Sequence, residues 1–160
     1  MTVVNQNAVF PTAVSAQGGA NVTIASSGVN TNQVWFAPSG TTSFTAGTTM
    51  TKAEEGTATT IQSPNDAGTY YLYVIDAVGN VSTASTAALT VPKTVLISRN
   101  PKYPPYYVHY KQGDTITFTA TFNTNDITSV DIAMTGVAPL AQTAMTKSQS
   151  SDRIYTYQYT

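Results

Sequence analysis

The sequence contains no cysteine, a single histidine and few charges, with Asp, Glu, Lys and Arg making up only 9% of its 160 residues. Each scarcity excludes something. Without cysteine there is no disulfide, no thiolate nucleophile and no Cys-based zinc centre. With His109 the only histidine, clusters of imidazole ligands and double-histidine acid–base pairs are ruled out. Seven Lys and Arg against eight Asp and Glu leave a formal charge of −1, so there is no basic footprint for nucleic acid or an anionic membrane. No apolar run approaches the ~20 residues of a membrane-spanning helix. The opening MTVVNQNAVFPTAV lacks the basic end and unbroken apolar stretch of a secretory signal. For an exported protein, Met1 then reads as the start of an excised piece. A phage virion protein, which needs no signal, fits the same facts.

What is abundant is Thr, Ser, Ala and Val, arranged with a period of two. In DTITFTATF, Ile116, Phe118, Ala120 and Phe122 share one face while Thr115, Thr117, Thr119 and Thr121 share the other. NVTIAS alternates in the same way, and RIYTYQYT puts Tyr155, Tyr157 and Tyr159 on one face. Such runs predict half-buried strands, separated by turn signals at Ser39-Gly40, Asn65-Asp66 and Gly79-Asn80. Strands are expected near 4–15, 21–27, 32–37, 42–46, 49–54, 57–63, 69–76 and 81–91, then near 94–99, 114–122, 127–134, 140–147 and 153–159. Short strands so spaced form a β-sandwich, and a low-charge surface rich in Thr and Ser suits a secreted or surface-displayed protein.

The chain also repeats itself. GANVTIA from Gly19 is matched by GDTITFT from Gly113 (113 − 19 = 94), and TTMTK ending at Lys52 by TAMTK ending at Lys147 (147 − 52 = 95). QVWFA and SVDIA lie between them at an offset of 96 (129 − 33). Two related domains are therefore expected, 1–92 and 93–160, joined near Val91-Pro92-Lys93. By this offset the second domain stops short of the hairpin that closes the first.

That hairpin carries a resemblance. DAGTYYL, Asp66 to Leu72, resembles the signature that precedes strand F of immunoglobulin-like domains. Tyr70 stands at the corner-tyrosine position and Leu72 where the family has cysteine. Trp35 stands near the family's buried strand-C tryptophan, with a sugar-stacking platform on the surface as the alternative reading. The continuation YVIDAVGNVSTASTAALTV is similar to the last hairpin of bacterial Ig-like (Big-type) repeats of extracellular and cell-surface proteins. The resemblance implies two tandem Ig-like Greek-key β-sandwiches, the second lacking its last hairpin. It implies a non-catalytic spacer, display or adhesion module of a bacterial surface or secreted protein, with neighbouring Ig-like domains or copies of itself as partners.

Other readings stay open beside it. No catalytic constellation stands out, and no cofactor is expected. Calcium is the one metal with candidate ligands, in Asp66, Asp76 and Asn80, against a plain turn at DAVGN. The segment NPKYPPYYVHYKQGD gathers Tyr103, Tyr106, Tyr107, His109 and Tyr110, a platform for polysaccharide or a covering for a domain end. Lys52 and Lys147 are candidates for a lysine–asparagine crosslink if buried beside a carboxylic acid. A virion or surface filament built by strand complementation is the third class, with TVVNQNAVF as the donor strand.

Overall fold

The computed structural model describes residues 8–100, 113–136 and 139–160. Every regular element among them is a strand, and the fold is an all-β sandwich. The chain divides into two compact units, Met1–Pro92 and Lys93–Thr160.

The first unit contains β1 (Val14–Ser15), β2 (Asn21–Thr23), β3 (Gln33–Pro38), β4 (Thr51–Glu55), β5 (Thr60–Gln62), β6 (Gly68–Ile75) and β7 (Leu89–Val91). One sheet runs β1-β7-β6-β3-β4 and the other pairs β2 with β5. The start of the chain serves both sheets. Val9 bridges to Ala25 beside β2, and after Pro11 the chain crosses over, so that Val14 and Ser15 lie parallel to Leu89 and Thr90. Proline suits the crossing because its missing N–H costs no ladder bond there.

Alternation along the strands builds the core. Val34 and Phe36 of β3 and Tyr70, Leu72 and Val74 of β6 face Val22, Ile24 and Ile61 across the sandwich, with Ala8, Phe10, Leu89 and Val91 closing the cluster. Leu72, in the position where the resemblance places a cysteine, is fully buried, so apolar packing fills that space. Ala8 and Phe10 are also fully enclosed in this core. The expectation that TVVNQNAVF is an uncommitted donor strand is therefore corrected for residues 8–10, whose burial in their own unit offsets any gain from leaving it.

One expected strand is absent as a regular element and another is much shorter than expected. Residues 42–46 form a turn-rich loop in which the Thr49 Oγ1 donates to Ser43 O at 2.6 Å and accepts from Thr45 N–H at 2.8 Å. Side-chain bonds of this kind compete with ladder pairing. Within 81–91, only Leu89–Val91 is a strand. Upstream, Ser82 and Ser85 hydroxyls accept from the N–H groups of Val74 and Leu72 at 2.9 and 3.0 Å. Their own N–H groups donate to the carbonyls of the same two residues. Serine side chains thus stand in for half of the ladder, and the backbone there is free to bulge.

The second unit contains β8 (Val95–Asn100), β9 (Ile116–Phe122), β10 (Asp131–Met134), β11 (Leu140–Ala144), β12 (Thr146–Lys147) and β13 (Ile154–Tyr159). β12-β13-β9-β8 form one sheet, and β10 pairs with β11. β9 and β13 pair antiparallel without a register shift, from Ile116↔Tyr159 to Thr121↔Ile154. Burial is thinner here. Ile116, Ala120 and Tyr155 are the buried apolar side chains of this unit among the described residues. Tyr155 packs edge-on against Phe122 at 6.0 Å and donates its hydroxyl to Ile127 O at 2.6 Å.

Candidate functional site

The sequence-derived residues fall in different places. Tyr70 is a corner residue: its ring packs edge-on against Phe36 at 6.2 Å and its hydroxyl donates to Asp66 O at 2.9 Å. This bond ties the loop before β6 to the strand itself. Tyr103, Tyr106, Tyr107, His109 and Tyr110 lie outside the described residues.

The trio Asp66, Asp76 and Asn80 is not one site. Asp66 precedes β6 and Asp76 follows it, so eight strand residues, at about 3.3 Å each, separate the two carboxylates. Asp76 and Asn80 do meet, in a turn. Asp76 Oδ1 accepts from the N–H groups of Val78 and Asn80 at 3.0 and 2.9 Å, and Oδ2 accepts from Asn80 Nδ2 at 2.9 Å. Gly79 completes the turn at φ +89°, a conformation that costs glycine little. The Asn80 side chain first, and then the backbone amides of Asn80, Val78 and Gly79, hold the Asp76 carboxyl below its ordinary range. The same oxygens that calcium would need already serve the turn. Among the described residues no three His, Asp or Glu side chains gather as a metal-binding group.

Trp35 is a correction of place. β3 puts Val34 and Phe36 into the inter-sheet core, so period-two alternation turns Trp35 to the opposite, outer face. There it pairs with Tyr73 across β3 and β6 and joins a second cluster containing Ala37, Met50, Tyr71, Tyr73, Ile75 and Val81. Phe44, from the loop before β4, lies over Tyr73 with ring centroids 4.7 Å apart and remains 38% exposed. Burial first, and then Tyr71, raise the Tyr73 hydroxyl above its ordinary pKa. The indole Nε1 of Trp35 is buried with no hydrogen-bond partner. Nothing in the sequence flagged this patch as one surface, because its members are scattered from Trp35 to Val81 and only strand pairing gathers them.

A cleft of about 570 Å³ opens along the seam between β4 and β5, with Phe36, Ala53, Gln62 and Tyr70 among its walls. Its lining mixes hydroxyls, amides and ring edges. The remaining charges are dispersed. Lys52–Glu55, Lys93–Asp126 and Lys147–Asp152 form surface ion pairs at 2.6–2.7 Å, and Gln142 donates to Asp131 at 2.7 Å. Lys52 and Lys147 are both substantially exposed, so neither has the buried setting that a lysine–asparagine crosslink requires.

No family model matches the chain, and no curated protein is similar enough to count as a relative.

Proposed function

We infer that the chain is a non-catalytic pair of immunoglobulin-like modules, serving as a spacer or display element of a bacterial surface or secreted protein. The observation that carries this reading is the pairing of the first unit's first and last strands. β1, near its start, lies parallel to β7, at its end. Val14 N–H donates to Ala88 O at 3.0 Å and Ala16 N–H to Thr90 O at 3.1 Å. A pull on the two ends of the unit runs along these strands in opposite directions and loads both bonds together, in shear, rather than one after the other. That arrangement suits an element that transmits tension. The corner bond of Tyr70, the immunoglobulin-like hairpin sequence and the dispersed, ion-paired titratable groups support the same reading.

Single-molecule pulling of the full chain between its termini tests it. The unit holding β1 and β7 is expected to give the stronger of the unfolding events. Val14→Pro, which removes one of the two shear-loaded donors, lowers that force. A first unit that yields as weakly as a strand pair unzipped end-on would refute the spacer role.

The outer aromatic patch favours a second reading, carbohydrate binding, since partly exposed rings such as Phe44 beside Tyr73 are suited to stack against sugars. Trp35 is the only tryptophan, so its fluorescence reports on this patch. Titration with a broad panel of soluble polysaccharides is expected to change that signal if the reading holds, and a flat response across the panel removes it.

A further inference from the structure

We propose that β8 is a homotypic docking edge, through which two copies of the chain pair antiparallel about a two-fold axis at Ile97. This partner goes beyond the spacer role and does not depend on it.

The directions of the hydrogen bonds come first. Asn123 N–H donates to Thr94 O and Phe122 N–H to Arg153 O. In an antiparallel sheet the residues that bond to a given neighbour alternate. Even-numbered residues of β9 therefore bond to β13 and odd-numbered ones to β8. By the register Leu96↔Thr121 and Ser98↔Thr119, the even-numbered residues of β8 are the ones bonded to β9. Val95, Ile97 and Arg99 direct their N–H and C=O groups to the outside. β8 ends its sheet, and among the described residues no strand pairs with that edge.

Side chains separate this edge from the others. Val95, Leu96 and Ile97 are 46%, 70% and 69% exposed, three consecutive apolar residues on an edge strand. Proteins usually protect an edge with brevity, a charge, a proline or a bulge. β1 and β12 are two residues long and β5 three. β4 carries Lys52, Glu54 and Glu55 and has a register shift opposite Val34 and Trp35. β8 has six residues in unbroken register, no proline, and Arg99 as its one charge.

A second copy is the occupant that fits. A two-fold axis perpendicular to the sheet keeps each side chain on its own face. Setting it at Ile97 puts Ile97 opposite its counterpart, Leu96 opposite Ser98, and Val95 opposite Arg99. The outward-directed residues meet only one another, so each facing pair exchanges two main-chain bonds. No like charges are juxtaposed, and a net charge of −1 offers little repulsion between copies.

The test uses the full chain, whose lack of cysteine makes single thiols clean probes. Sedimentation velocity over a wide dilution series is expected to show a mass rising towards two chains. Ile97→Lys, which sets two ammonium groups opposite each other, keeps a single-chain mass throughout; Ile97 is exposed enough to tolerate lysine. Ile97→Cys gives a disulfide-linked dimer under mild oxidation, because facing Cα atoms about 5.5 Å apart fall in the range a disulfide spans. Val78→Cys, at a turn of the first unit where the side chain is 83% exposed, is the control for random collision. A wild-type chain that stays single at all concentrations overturns the proposal. So does an association that survives Ile97→Lys, or crosslinking of Ile97→Cys no faster than Val78→Cys.

Discussion

Tyr70 and Asp76 bracket β6, and each holds its end by side-chain hydrogen bonds to nearby backbone. Tyr70 is buried, and Tyr70→Phe keeps the ring contact with Phe36 while deleting the hydroxyl's bond to Asp66 O. The expected cost is about 1 kcal/mol, read as an earlier midpoint in urea unfolding followed by Trp35 fluorescence. Asp76 is half-buried and acts through its ionisation. Its pKa is depressed in the folded state, so its contribution is present above the unfolded-state pKa and is lost as pH falls through the folded one. Wild type should therefore exceed Asp76→Ala in melting temperature at neutral pH, and the gap should close in acid. A gap that stays constant down through the carboxylate range would assign the effect to something other than this carboxylate. Trp35 is the residue whose setting is least legible from sequence. Its identity fits a buried strand-C position, yet one step of alternation gives that place to Phe36, and a one-residue difference in register decides which face of a strand is core.

At the level of elements, the segment between Val81 and β7 behaves as a strand whose bonds are partly made by serine. Ser85 is 3% exposed, and its hydroxyl both accepts from Leu72 N–H and donates to Ala87 O at 2.7 Å. Ser85→Ala strands a buried amide of the central strand, and the expected loss is about 1–3 kcal/mol. Ser82→Ala, at a more exposed position, should cost less. Chemical denaturation of the two variants side by side checks the order. β9 and β13 were legible because one face is apolar and the other Thr or polar, a pattern only a half-buried strand satisfies. The 42–46 loop misreads as a strand for the opposite reason: a run of Thr, Ser and Phe suits a pleat, but Thr49 and Ser43 satisfy each other locally.

Over the whole molecule, the two units have unequal cores. The first encloses Phe10, Ile61, Leu72, Leu89 and their neighbours, while among the described residues the second fully buries few apolar groups and leaves Leu96 and Ile97 largely in water. Because stabilisation scales with the apolar area removed from water, the second unit is expected to open first. Amide exchange by mass spectrometry should show β8, β9 and β13 exchanging through a lower-energy opening than β3 and β6; equal protection in both would contradict this. The sequence by itself determined the all-β character, the core role of Leu72, the corner at Tyr70 and the turn at Asp76. The all-β character follows from period-two patterning and the turn at Asp76 from bonds between residues close along the chain, while the places of Tyr70 and Leu72 are what the resemblance of DAGTYYL to immunoglobulin-like hairpins implies. Only the tertiary structure decided that Trp35 faces outward, that Asp66 lies a strand's length from Asp76, that Ala8 and Phe10 belong to their own core, and that among the described residues β8 ends its sheet without a strand on its outer side. Those facts depend on which strands become neighbours and in what register, and neither is written in the local pattern of any one strand.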